Sequence, residues 1–171
     1  NSPLAASVGI NVMKDGGNAF DAALAVASTE TVTIIPSCGV GGDSFVLLYE
    51  AANGKVTGVN SSGPAPTGAT GEYYRSQGYT TMPLTGPHSI SVPGEVAAWE
   101  TIHQNFCTRP FAELLAPAVS YAREGFPVPP GIAKSLANGV SKLSRFPSSA
   151  SVLLPNGLPP VEGDVLVNSG L

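Results

Sequence analysis

The stretch Gly16-Gly17-Asn18-Ala19-Phe20-Asp21-Ala22-Ala23 constrains the fold more than any other part of the chain. Glycine enters the left-handed backbone region without steric cost, so the glycine pair ends the apolar helical stretch Leu4–Lys14 before it. Asn18 is a good cap for a second helix. Asp21 falls in that helix's first turn, where a carboxylate favours the dipole. The small side chains of Ala22, Ala23, Ala25 and Ala27 let a neighbouring element approach closely. In the first helix, Leu4, Val8 and Val12 form one apolar stripe and Ala6, Ile10 and Met13 another, the pattern of a helix largely buried between layers.

The next elements are strands. Phe45–Tyr49 and Val56–Val59 flank Asn53-Gly54, which sits where a hairpin turn is expected. Ser61–Pro66 is a small-residue loop, and His88–Val92 is read as a further strand. Three helical patterns follow. Val96, Trp99, Ile102 and Phe106 mark the first; Phe111, Leu114, Leu115, Ala118, Val119 and Ala122 mark the second; Ile132, Leu136, Val140 and Leu143 mark the third. Pro117 removes one backbone hydrogen bond from the second of these and should bend it. Residues 163–168 read as a short strand or an extended arm. The order of helices, then strands, then helices predicts an α+β fold rather than alternating βα units.

Charged residues make up only 12% of the 171-residue chain, about half the usual share. Such a surface is expected to be partly covered, as in an incomplete domain or a subunit with a large interface. The net charge is -4, with eight Lys and Arg and no basic run, which argues against nucleic acid as a partner. No apolar stretch approaches the ~20 residues of a membrane span. Cys38 and Cys107 are expected as thiols rather than a disulfide, and they make no metal pattern.

Few residues offer chemistry by themselves. Gly39-Val40-Gly41-Gly42 precedes a strand and lacks a following Lys-Ser/Thr, so it reads as a tight turn where another backbone passes, not as a phosphate loop. His88 and His103 have no partners at catalytic or metal-ligand spacing. Asp43, Glu95, Glu124 and Asp164 are scattered. Of these Asp43, after the glycine turn, is the best functional candidate, with a structural role still favoured. No metal or cofactor is implied.

Three segments add a resemblance. Gly16–Ala23 closely resembles the GGNAxDAA signature of the γ-glutamyltransferase family. Pro36 with Gly39–Phe45 is similar to that family's glycine turn feeding a central strand. Ser91-Val92-Pro93-Gly94 resembles its SVPG block, followed by Leu115-Ala116-Pro117-Ala118. Glu124-Gly125-Phe126 and Gly163-Asp164 also match, in the family's order, across almost the whole chain. Met82–Pro87, Trp99 and Phe126-Pro127-Val128 are more similar to the cephalosporin-acylase-like and oxamate-amidohydrolase-like branch.

The resemblance implies an N-terminal nucleophile hydrolase whose fold is a four-layer αββα sandwich. Residues 1–171 would then be an incomplete domain, the N-terminal portion of the large subunit of a self-cleaving proenzyme. Its partners would be the rest of that subunit, the small subunit with its nucleophilic Thr, and a small amide that need not be glutathione. A free α-amine titrates near neutrality, so such a Thr can serve as its own base. No threonine here lies in the family's nucleophile context, and no catalytic residue is assigned to this chain. The resemblance does imply a substrate contact. The family's Arg, which grips a γ-glutamyl carboxylate, aligns with Ser62 in Asn60-Ser61-Ser62-Gly63-Pro64-Ala65-Pro66, and the branch's Arg aligns with Pro64. Ser62, Gly63 and Pro64 are therefore the expected substrate-binding residues, without the bidentate cation. An inactive member with a binding or structural role is the alternative.

Overall fold

The structure, a computed structural model, describes residues 2–171. Its elements in chain order are α1 (Pro3–Lys14), α2 (Ala19–Thr33), β1 (Ser44–Glu50), β2 (Lys55–Ser61), α3 (Gly71–Ser76), α4 (Glu95–Phe106), α5 (Phe111–Glu124), β3 (Phe126–Pro127), α6 (Pro130–Leu143), α7 (Pro147–Leu153) and β4 (Val165–Leu166). The α+β expectation holds. The chain divides into two compact units, with the boundary inside α4. One is helical and comprises the residues up to Gly39 together with Ile102–Leu171; the other is Val40–Thr101.

In the helical unit, α1 and α2 pack with almost no space between them. A Cβ on Gly9 would stand 2.6 Å from Val26 Cγ2, and one on Gly17 would stand 2.7 Å from Val12 Cγ1. Gly16 takes φ +87°, the left-handed stop that the sequence implied. Asn18 then caps α2. Its side chain accepts from the Phe20 and Asp21 amides, and the Asp21 carboxylate accepts from the Asn18 amide, completing a capping box. Buried hydroxyls along α2 are satisfied locally, with Thr29 donating to the Ala25 carbonyl and Thr31 to that of Ser28. A hydroxyl that bonds its own helix can be buried without an orphaned donor.

The apolar core of this unit gathers Val32, Ala118, Ala122, Phe126, Val128, Leu136 and Leu166. Pro117 lies inside a continuous α5. Gly125, at φ +91°, turns the chain out of α5; a Cβ there would meet Val165 Cγ1 at 2.5 Å. The turn delivers Phe126 to an antiparallel pairing of β3 with β4, with Phe126 opposite Leu166. β4 falls within the 163–168 arm, whereas β3 and α7 were not anticipated.

In the second unit, β1 and β2 form an antiparallel hairpin with Val46 opposite Val59 and Tyr49 opposite Val56. Gly54 supplies the positive φ that the turn requires. The expected strand His88–Val92 is absent. Residues Pro87–Ser89 form a 3-10 turn instead. Pro87 has no N–H for a ladder, Gly86 adopts φ +89°, and Ser89 turns both its amide and its hydroxyl back to the Gly86 carbonyl. The short helix α3 was also missed; Thr70 caps it by accepting from the Tyr73 amide.

Candidate functional site

Three separate stretches of the second unit meet at the loop that follows β2. The first is the glycine turn ending in Asp43, the second is Ser61–Pro66, and the third is Ser91–Gly94. The Gly63 amide donates to Asp43 Oδ1 at 3.0 Å, and Ser91 Oγ lies 3.3 Å from the same oxygen. The Ser61 hydroxyl donates to the Gly94 carbonyl at 2.7 Å. The Gly94 and Glu95 amides both donate to the Gly42 carbonyl, and the Val92 amide donates to that of Pro64. An exposed carboxylate thus holds together two loops 48 residues apart in sequence.

The glycines at this junction are sterically required. A Cβ on Gly63 would lie 1.4 Å from the Val92 carbonyl oxygen, and one on Gly94 would lie 1.9 Å from that of Ser61. Backbone oxygens cannot yield as flexible side-chain tips can, so only glycine fits at either place. The close passage expected around Gly39–Gly42 is narrower than the sequence implied. It is made by the Gly42 carbonyl, while Gly39 and Gly41 face open space.

Ser62 and Pro64 are exposed on this loop and Gly63 is half-buried. The Ser62 amide is taken by Asn60 Oδ1 at 3.0 Å, leaving its hydroxyl as the loop's outward polar group. Residues 60–66 include no Lys or Arg. The charge nearest to Gly63 in the bonding pattern is the Asp43 carboxylate. The loop therefore offers hydroxyl and backbone dipoles against a negative charge, an arrangement suited to a neutral polar group rather than a carboxylate.

The remaining candidates have structural roles. His103 Nε2 lies 2.9 Å from the Arg109 carbonyl oxygen, and its ring packs against Phe111. Glu95 accepts from the Trp99 indole N–H one turn along α4, and Asp164 accepts from the Val161 amide. Neither Cys38 nor Cys107 is in a disulfide. Among the described residues there is no group of three or more His, Cys, Asp or Glu able to hold a metal, and no helix is long and apolar enough to cross a membrane.

Sequence reasoning placed Asp21 at a helix terminus and missed its larger role. The residue is 0% exposed and accepts from the Thr108 amide, the Thr108 hydroxyl and the Arg109 amide, in addition to the Asn18 amide. Burial pushes its pKa up, but the bonds from the Thr108 side chain and the Asn18, Arg109 and Thr108 amides outweigh that and hold it at about 2. Cys107 beside it is pushed up to about 12 by burial, by the charge of Asp21 and by a hydrogen bond to that carboxylate. Such a thiol is inert at neutral pH. The most recognisable stretch of the sequence therefore serves to join elements rather than to react.

These features have counterparts in known proteins. The family model described as Gamma-glutamyltranspeptidase matches residues 5–171. A glutathione hydrolase proenzyme of Bacillus subtilis is 34% identical over 173 residues, covering 99% of this chain and 29% of that protein. The crystal structure of Helicobacter pylori gamma-glutamyltranspeptidase superposes with a TM-score of 0.93 at 28% identity, over 99% of this chain and 50% of that one. Cephalosporin acylase from Bacillus halodurans gives the same TM-score at 35% identity, over 99% of this chain and 32% of that one. The chain thus spans less than a third of the length of the curated relative, yet the match runs through the capping helix, the glycine turn and the loop junction alike. It belongs to the gamma-glutamyltranspeptidase family.

Proposed function

We propose that this chain is the N-terminal part of the large subunit of a self-cleaving amidohydrolase or acyltransferase, in which a Thr from another part of the protein supplies the nucleophile. On this reading residues 1–171 are an incomplete domain, and the hairpin β1–β2 is a piece of a four-layer αββα sandwich. The exposed side chains along one face of the hairpin support it. Phe45 is 72% exposed, Leu47 81%, and Tyr49 and Val56 61% each. Strands alternate their side chains between two faces, so a row of large apolar groups on one face calls for a covering layer.

The chemistry follows from the family's design. An N-terminal Thr hydroxyl attacks the amide carbon, its own amine takes the proton and passes it to the substrate nitrogen, and the C–N bond breaks to release an amine and leave an acyl-enzyme. Water or a second amine then releases the acyl group. This chain's share is to position the substrate through the loop Ser62-Gly63-Pro64, held in place by Asp43. The observation that carries the reading is the junction itself, where two blocks of the family's sequence, the glycine turn and Ser91–Gly94, converge on one loop.

The substrate is a small amide whose acyl part need not carry the γ-glutamyl carboxylate. Loss of the bidentate Arg contact weakens such recognition by about tenfold or more. An inactive role, which rests on Ser62 and Pro64 alone, is not favoured, because relatives are named as hydrolases, acylases and a transpeptidase. Expression of the full-length protein should yield two fragments on a denaturing gel, the smaller beginning with Thr on N-terminal sequencing. A single uncut band would overturn the reading.

A further inference from the structure

Three tyrosines surround His88 in the second unit. The Tyr73 ring stacks on the imidazole at 5.7 Å and 19°, Tyr79 approaches it at 5.6 Å, and Tyr74 meets it edge-on at 6.0 Å. The Tyr74 hydroxyl donates to the His88 carbonyl at 2.8 Å, fixing the backbone of the 3-10 turn. Beside this cluster lies a groove of about 430 Å³ whose walls include Pro66, Tyr73, Tyr74, Pro87, His88 and Ile90. No carboxylate, ammonium or guanidinium lines it.

The groove's lining lies close in sequence to the proposed substrate loop, Ser62–Pro64. Pro66 lies two residues beyond Pro64, and Ile90 adjoins Ser91, which contacts Asp43. The two walls are tied together by the bond from the Val92 amide to the Pro64 carbonyl. Asp43 places negative charge beside Gly63 of the loop, whereas prolines, tyrosines and an isoleucine line the groove.

We propose that this groove is a subsite for a flat, uncharged aromatic ring carried by the amide substrate. The inference rests on the amidohydrolase reading and deepens it by naming a substrate class. Tyrosine faces and edges pair well with another ring in offset or edge-on geometry, and the aliphatic walls contribute burial. A bare cation could also use the ring faces, but nothing in the lining supplies the opposing charge.

The test uses the full-length protein with 2-phenylethanol as an uncharged ring probe, followed by nuclear magnetic resonance shifts of the His88 imidazole. Binding should weaken about five- to tenfold in Tyr73→Ser and persist in Tyr73→Phe. Tyr73 is 41% exposed, so both variants should melt as the parent does. The KM for phenylacetamide should rise by a similar factor in Tyr73→Ser, with kcat little changed. Equal affinity in Tyr73→Ser, no binding to the parent, or stronger occupancy by tetramethylammonium would each overturn the subsite. Ring binding without turnover of any amide would sink the hydrolase reading and leave the ring site standing; turnover without ring binding would do the reverse.

Discussion

Asp21 and Asp43 follow glycines in the two units of this chain, and the contrast between them describes the molecule. Asp21 is wholly buried and takes hydrogen bonds from Asn18 beside it and from Thr108 and Arg109, 87 and 88 residues later. Asp43 is exposed and takes one amide and one hydroxyl at longer range. The helical unit around Asp21 gathers an apolar core and satisfies its buried hydroxyls locally. The unit around Asp43 leaves Phe45, Leu47 and Tyr49 facing outward and is held by loop-to-loop contacts. One carboxylate fastens a scaffold; the other shapes a surface that can be occupied.

The strongest way to break this contrast is Asp21→Ala. It strands two loop amides, a cap amide and a hydroxyl in a place that water does not reach. The full-length protein should lose at least about 3 kcal/mol, read as a shift in its urea midpoint. The same carboxylate sets an acid limit. Its folded pKa of about 2 lies below the ordinary 3.8, so its contribution is fully present above pH 3.8 and is lost as pH falls towards 2. That contribution is of order 2 kcal/mol, and the acid-dependent part should vanish from the pH–stability curve of Asp21→Ala.

A smaller global effect, with a larger effect on activity, is expected from Gly63→Ala. The new methyl would collide with the Val92 carbonyl, so one loop must move away from the other. The stability cost should be about 1–3 kcal/mol. If the Ser62–Pro64 loop positions substrate, as proposed, displacing it by an ångström should lower kcat/KM for a small amide by about 10- to 100-fold. Normal activity in Gly63→Ala would show that the Ser62–Pro64 loop does not position substrate.

The helical unit was far more legible in the sequence than the other. Glycine stops, an Asn cap and apolar residues at helical spacing act within a few residues of one another, so α1, α2, α5 and α6 could be read directly, as could α4 at the boundary between the units. The link from Asp21 to Thr108 depends on chain that returns 87 residues later, and no local pattern reports it. In the second unit, His88–Val92 resembled a strand because Ile90 and Val92 alternate with serines. Pro87 and the turn-back of Ser89 decided otherwise. The resemblance to a family singled out the Ser62–Pro64 loop through its motif; the physical reason that the loop is held in place, the Gly63 amide bonded to Asp43, emerged only in three dimensions. The Tyr-His cluster left a faint trace in Tyr73-Tyr74 and Tyr79, but without the 3-10 turn nothing brings His88 to them.

The finest test of the contrast compares Asp43→Asn with Asp43→Ala. Asparagine keeps a carbonyl oxygen at the position that receives the Gly63 amide, so the loop should remain and only the charge should go. Alanine removes both. Because Asp43 is exposed, water can replace the lost bonds, and either change should shift stability by no more than about 1 kcal/mol. Activity should separate them. In Asp43→Ala the freed loop should raise KM for a small amide several-fold. In Asp43→Asn the KM for a neutral amide should stay close to the parent's, while that for an anionic γ-glutamyl amide should fall, since a negative charge under the binding loop has gone. If instead both variants lose activity equally on neutral and anionic amides, the carboxylate charge is needed in its own right and Asp43 does more than hold a loop.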